Sequence, residues 1–292
     1  MINSAPALSR RECDSAWNTF WFCSQPGLVS LQFVRVGLSV IAVWYFLSHW
    51  ADIGRWFASD GVLATEQLGR LIEAEDLVDQ YKWRLSPLYW IESTLILRIY
   101  LAIGVVLAVA AVAIRATRAA SVLLWLWCVW LANRSLVISG SEELALVFGL
   151  AYLAIASPSN PGHWTTAIAR RLIQVHTTLL IAMIGLTMLA SIIWWDGTGS
   201  LSLAAPSGRR LLDVTGFLSS LWLQELVTHL LVVTAILGPI AIWMPRTRRF
   251  GLVALLAWLV VFALLSSQWM YASTLAILLQ AFLAARPSSF VK

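Results

Sequence analysis

The chain has 292 residues, 60% of them hydrophobic and only 12% charged, with a mean hydropathy of +0.78. A soluble domain carries about 25% charged residues, so this chain has too little polar surface to cover a water-facing globule, and an integral membrane protein is expected. The formal charge of +5 is spread along the sequence without a dense basic tract, which argues against a nucleic-acid partner.

Residues 1–28 do not read as a cleaved secretory signal, because "SRRECDSAWNTFWFC" is polar and aromatic and the apolar run begins only at about Leu28. "RRECDSAWNTFWF" reads either as a short amphipathic helix on the membrane surface or as an ordered polar arm. A membrane helix needs roughly 20 mostly apolar residues. Eight candidates follow within residues 29–285, at about 29–50, 95–114, 118–136, 143–157, 171–194, 221–244, 250–266 and 268–285. The fold expected is therefore an all-α polytopic membrane bundle of about eight transmembrane helices, followed by a short tail at 286–292. Little more than "SSQ" joins the last two spans, which implies a tight helical hairpin.

Two connections are long. Within 51–93, Leu68, Leu71, Ile72 and the Val78 region alternate helically with Glu73, Glu75, Asp76 and Asp79, which reads as a surface helix with one acidic face. Residues 195–220 are rich in Gly, Ser and Pro and read as a loop or cap. With both termini placed in the cytoplasm, the inner segments hold eleven basic residues (Arg10, Arg11, Arg115, Arg118, Arg170, Arg171, Arg246, Arg248, Arg249, Arg286 and Lys292) against Glu12 and Asp14. The outer segments are net acidic, and the Lys/Arg bias has the sign expected of cytoplasmic loops in a plasma (inner) membrane. Cys13 and Cys23 precede the first span and Cys128 lies within another, so no structural disulfide is expected.

Ionisable groups inside spans are costly and point to function. Apart from charges at the span ends (Arg118, Arg134, Glu143 and Arg171), the charged residues within these spans are Arg35, Arg98 and Glu225, joined by His176 and His229. Glu225 and His229 are four apart and share a helix face near the outer end of the sixth span. Arg98 and His49 lie at the outer ends of their spans. Asn133, Arg134, Glu142 and Glu143 bracket the outer turn between spans three and four. These groups suggest an outward-facing polar pocket with Glu225 paired to Arg98 or Arg134. The plain alternative is that Arg98 and Glu225 reach out to the headgroups. Glu225 and His229 lack a third ligand, so no metal is expected. Arg35 could bind a lipid phosphate or cap neighbouring carbonyls. His176 reads as a hydrogen-bonded bundle residue. The Trp run at 124–130 reads as packing. No nucleotide-binding or hydrolase motif is present.

Several stretches resemble the HTTM-domain family, the multi-pass group related to vitamin K-dependent gamma-carboxylase. "FVRVGLSVIAVWYF" followed by "WFASDGVLA" is similar to the family's opening, with Asp60 in the turn Ser59–Leu63 and Ala64 in place of a proline. Asn133, Arg134 and Glu143 resemble a second element, and "IGLTMLASIIWWDGTG" a third, with Gly185, Leu189, Trp194 and Gly197 in place. The resemblance spans about residues 28–285. It implies the bundle fold and an outward cavity for a lipophilic ligand, a lipid or a quinone, with Asp60 among the candidate ligand residues. In the carboxylase a lysine in the third element deprotonates vitamin K hydroquinone; Thr187 and Met188 stand there in this chain, so gamma-carboxylation is not expected.

Three functions are open. The first is a binding or accessory protein that assists a secreted peptide or a membrane partner, the acidic outer face meeting basic groups. The second is an enzyme on a quinone or lipid, with Glu225, His229 or Glu143 moving the proton. The third is a transporter, for which Gly238-Pro239 would break the sixth span.

Overall fold

The computed structural model describes residues 15–22, 31–74, 85–113, 118–135, 140–156, 163–204 and 215–283, and among these every regular element is helical. In chain order the helices are α1 (Ala16–Trp21), α2 (Gln32–Ser48), α3 (Ile53–Phe57), α4 (Thr65–Ala74), α5 (Thr94–Ala113), α6 (Arg118–Arg134), α7 (Ser141–Ile155), α8 (Trp164–Leu189), α9 (Ile192–Trp195), α10 (Gly199–Leu203), α11 (Thr215–Leu218), α12 (Leu221–Trp243), α13 (Arg248–Ser266) and α14 (Trp269–Leu279). Two 3₁₀ turns, Pro87–Trp90 and Gln280–Phe282, complete the set.

Each of the eight apolar segments read from the sequence coincides with a helix. Four of them, α5, α8, α12 and α13, are long and apolar enough to cross a membrane, while α2 and the Trp269–Phe282 stretch are apolar but shorter. An apolar medium offers no hydrogen bonds to the backbone, so a helix, which satisfies its own N–H and C=O groups, is the form such runs take. The fifth segment begins earlier than its hydropathy suggests. Arg170 and Arg171 lie two turns inside α8, which starts at Trp164 with His163 accepting from the Thr165 N–H at 3.3 Å. Gly238-Pro239 does not break the sixth segment, since α12 runs through Pro239.

The chain divides into two compact units, one formed by residues 35–161 and the other by 1–34 with 162–292. In the first, α5 and α6 are joined by Tyr100 and Trp127, whose rings stack at 4.6 Å. The Trp127 indole donates to the Tyr100 carbonyl at 2.9 Å, and the Tyr100 hydroxyl donates back to the Trp127 carbonyl. This confirms a packing role for that part of the Trp run. The Arg118 Nε donates to the Ala154 carbonyl at 3.1 Å, tying the start of α6 to the end of α7. Cys128 is a buried free thiol; Cys13 and Cys23 lie outside the described residues.

In the second unit α12 packs on both α8 and α13. A side chain at Gly185 of α8 would meet the Ala235 backbone of α12 at 3.1 Å, so this crossing needs a glycine. The turn from α13 to α14 closes on Ser267 in the left-handed region (φ 57°), which gives the tight hairpin expected at "SSQ".

The long connections carry short helices. In α4, Leu68 is buried while Glu66, Arg70 and Glu73 face outward. This matches the first half of the expected surface helix, and Glu75, Asp76, Val78 and Asp79 lie outside the described residues. The stretch 195–220 holds α10 and α11 rather than only a loop.

Replacing Gly185 by Leu is expected to destabilise the protein by about 1–3 kcal/mol through overpacking. Replacing Gly69, a mid-helix glycine of α4 with open space around it, by Ala is expected to add about 0.5–1 kcal/mol. Unfolding in detergent measures both, and equal stability of Gly185→Leu and the native chain would contradict this helix crossing.

Candidate functional site

One end of the 35–161 unit gathers buried polar side chains around the end of α6. Ser135 ends that helix, its hydroxyl donating back to the Leu131 carbonyl at 2.9 Å. Next to it, Arg134 is 1% exposed. Its Nη2 donates to the Leu63 carbonyl at 2.7 Å, and its guanidinium lies over the rings of Phe57 (5.1 Å) and Tyr89 (5.3 Å). The preceding residue reaches the same region. The Asn133 amide donates to the Leu85 carbonyl at 3.0 Å, and its own carbonyl accepts from the Tyr89 hydroxyl at 2.9 Å. The Ser86 hydroxyl donates to the Trp130 carbonyl at 2.7 Å. The last turns of α6 therefore hold Leu63, Leu85, Ser86 and Tyr89 in place. The Thr65 N–H donates to Glu92 at 3.3 Å and the Thr65 hydroxyl to the Tyr89 carbonyl at 2.8 Å.

Arg134 has more donors than this packing uses, since its Nε and Nη1 are buried without a hydrogen-bond partner. On the next helix, Glu142 and Glu143 occupy the first turn of α7, where a negative charge complements the helix dipole. Glu142 is half-buried; Glu143 is buried, and its Oε2 has no partner. Tyr45 of α2 is 1% exposed and has Glu143, Ser135 and Cys128 as polar neighbours. Its hydroxyl forms no hydrogen bond of good geometry. Burying a polar group without a partner costs several kcal/mol on water-to-hydrocarbon scales, and more for a charge. Three such side chains at one end of one unit make this the candidate site.

The other residues expected at a site have plainer positions. His49 follows α2, half-buried, with its Nδ1 donating to the Tyr45 carbonyl at 2.9 Å. Asp60 and Arg98 are exposed. In the second unit Glu225 and His229 are both exposed, and the His229 Nδ1 donates to the Glu225 carbonyl at 2.8 Å. The buried groups on α12 are instead Gln224 and Thr228. The Thr228 hydroxyl accepts from the Ser200 N–H at 3.0 Å and lies 2.9 Å from the Gly197 carbonyl, so α10 docks on the start of α12. Salt bridges among the described residues include Arg55–Asp52 and Arg70–Glu66, both exposed; Glu225 belongs to one unit and its expected partners Arg98 and Arg134 to the other. No group of three or more potential metal ligands occurs among the described residues. A cleft of ≈ 270 Å³ between α12 and α13, lined by Val227, Leu231, Ala254 and Trp258 among others, is apolar.

Comparison with protein-family models, with curated proteins and with solved structures finds no match. The motif residues can still be judged by what they touch. Leu63 and Arg134, from two of the resembling stretches, meet through a hydrogen bond. Gly185 sits at a helix crossing. Gly197 has φ 76° and lies against the Glu225 side chain, where a side chain of its own would collide. Trp194 is buried, whereas Thr187, at the place of the family's lysine, is exposed with its hydroxyl on the Met183 carbonyl.

Tyr45 is the participant that sequence reading missed. It stands in an unbroken apolar run, "IAVWYFL", with no charge beside it, and the packing of α6 and α7 gives it Cys128, Ser135 and Glu143 as neighbours.

Arg134→Ala is expected to cost about 2–4 kcal/mol, because it leaves the Leu63 carbonyl unpaired and empties the space between two rings. Arg98→Ala and Asp60→Ala, at exposed positions, are expected to stay within about 0.5 kcal/mol of the native chain. Unfolding midpoints in detergent measure the contrast, and three equal values would remove Arg134 as the anchor.

Proposed function

We propose that this is a multi-pass membrane protein of HTTM-like type, with eight spans and both termini on the cytoplasmic side of the plasma membrane. On this reading it binds the polar head of a lipid or quinone-like molecule at Arg134, Glu143 and Tyr45. The observation that carries the reading is the open hydrogen-bonding capacity of these three buried side chains. Arg134 offers donors to a carbonyl or anionic oxygen, Glu143 accepts from a hydroxyl, and Tyr45 does either. A ligand with an apolar body and an oxygenated head offers partners of the kind these side chains lack and leaves its body in the hydrocarbon. The role is that of a binding or accessory protein acting with a secreted peptide or a membrane partner.

A second reading is an enzyme on the same ligand. It is favoured by Glu143, a buried carboxyl whose Oε2 has no partner and which has Tyr45 as a polar neighbour. Glu143 then takes the place of Glu225 and His229, which are exposed. Gamma-carboxylation is not part of this reading, because Thr187 and Met188 supply no base. Transport has less support, because α12 continues through Pro239.

Mass spectrometry of organic extracts from protein in native lipid nanodiscs tests the proposal, with empty membrane patches as the control. A lipophilic species in stoichiometric amount is expected, falling about tenfold or more in Glu143→Gln and Tyr45→Phe as one hydrogen bond to a charged or buried group is lost. Both variants keep the shape of the site, and circular dichroism confirms that they fold. Bulk lipid alone, unchanged by either substitution, would overturn the proposal. Turnover of an added quinol that disappears in Glu143→Gln would establish the second reading.

A further inference from the structure

At one end of the second unit several arginines gather around the start of α13 and the first turns of α8. Arg171 of α8 is 7% exposed. Its Nε donates to the Phe20 carbonyl at 2.8 Å and its Nη1 to Gln174 at 2.9 Å, with the guanidinium 4.3 Å from the Phe20 ring and 5.9 Å from that of Trp243. Gln174 in turn donates to the Ala281 carbonyl at 2.9 Å, so this one arginine ties α1, α8, α12 and the end of the chain's last helix together. Its charged neighbours are of its own sign, Arg170 on one side and Arg248 on the other.

The short turn joining α12 to α13 adds Arg246 and Arg249, both exposed and without a protein partner among the described residues. Arg248 and Arg249 stand in the first turn of α13, the positive end of its dipole, where cations are unfavourable. Thr247 offers no relief, because its hydroxyl donates to the Ala241 carbonyl at 2.8 Å instead of capping α13. The acidic residues described in this unit, Asp196 and Glu225, belong to the opposite end of the helices. Glu225 is 18 residues before Trp243 on α12, about 27 Å at 1.5 Å per residue. Beside the arginines, Phe250 (78% exposed) and Met244 (47%) face outward on helices apolar enough to cross a membrane.

We propose that the Met244–Phe250 turn, with Arg246, Arg248 and Arg249, binds the phosphate of an anionic phospholipid, while Met244 and Phe250 rest against its acyl chains. The anion complements the charges of Arg246, Arg248 and Arg249 and the start of α13. The neighbouring apolar side chains select a lipid over a soluble phosphate.

The test is native mass spectrometry of the full chain released from detergent with phosphatidylglycerol or with phosphatidylcholine of the same acyl chains. Phosphatidylglycerol is expected to be retained selectively. The Arg246→Gln/Arg249→Gln double variant is expected to bind it about 30-fold more weakly, at roughly fivefold for each arginine. These side chains are exposed and unpartnered, so the variant folds; Arg55→Gln/Arg70→Gln, which removes two exposed arginines of the other unit, should leave retention unchanged. Equal retention of the two lipids, native retention by the Arg246/Arg249 variant, or equal loss in the Arg55/Arg70 variant would each overturn the site. Displacement of the lipid by millimolar inorganic phosphate would show a free-anion site and overturn the choice of a phospholipid.

Discussion

The guanidinium of Arg134 is the point on which one end of the 35–161 unit hangs. A cation that is 1% exposed survives only if its surroundings replace water, and Leu63, Phe57 and Tyr89 do so in part. The same contacts fix the connection that carries those residues, so the cost of burying the charge and the order of the connection are coupled. Donors left over after that coupling are what make the place a candidate binding site rather than a structural clamp alone.

The second unit uses the same economy of polar groups. At one end Arg171 gathers carbonyls and aromatic rings from segments far apart in sequence. At the other, Thr228 and Ser200 fasten α10 to α12. In between, the helices meet through leucine, alanine and glycine. Polar interactions are thus concentrated at helix ends, where the last carbonyls and first N–H groups need partners and where headgroups and water begin. A functional group placed in such a chain does best where the polar scaffold already exists. The proposed ligand site at Arg134, Glu143 and Tyr45 and the proposed lipid site at the α12–α13 turn both follow that logic.

The two sites differ in kind. Around Arg134 the unsatisfied atoms are buried, so a ligand gains by giving them hydrogen bonds, and selectivity rests on matching donors to acceptors. At the α12–α13 turn Arg246 and Arg249 are exposed, so selectivity rests on charge and falls with salt. Separate ligands, one held by its head group and one by its charge, are consistent with these two environments.

Hydropathy alone located the apolar helices, four of them long enough to cross a membrane, because a run of Leu, Val, Ala and Trp has no other way to satisfy its backbone away from water. The sequence also marked Asn133, Arg134 and Glu143, since charges in such a chain are rare enough to stand out. Which of the marked charges are buried was decided by tertiary packing. Glu225 and Glu143 both sit in the first turns of apolar helices, yet one faces outward and the other inward. Helical phase on its own does not say which face a neighbouring helix will cover. Tyr45 became part of a polar cluster only through the packing of α6 and α7, and Arg171 became a junction only because Phe20, Gln174 and Trp243 converge on it. Local sequence set the helices and the supply of polar groups; long-range packing decided which of those groups lost their water, and that loss is what separates a site from a surface.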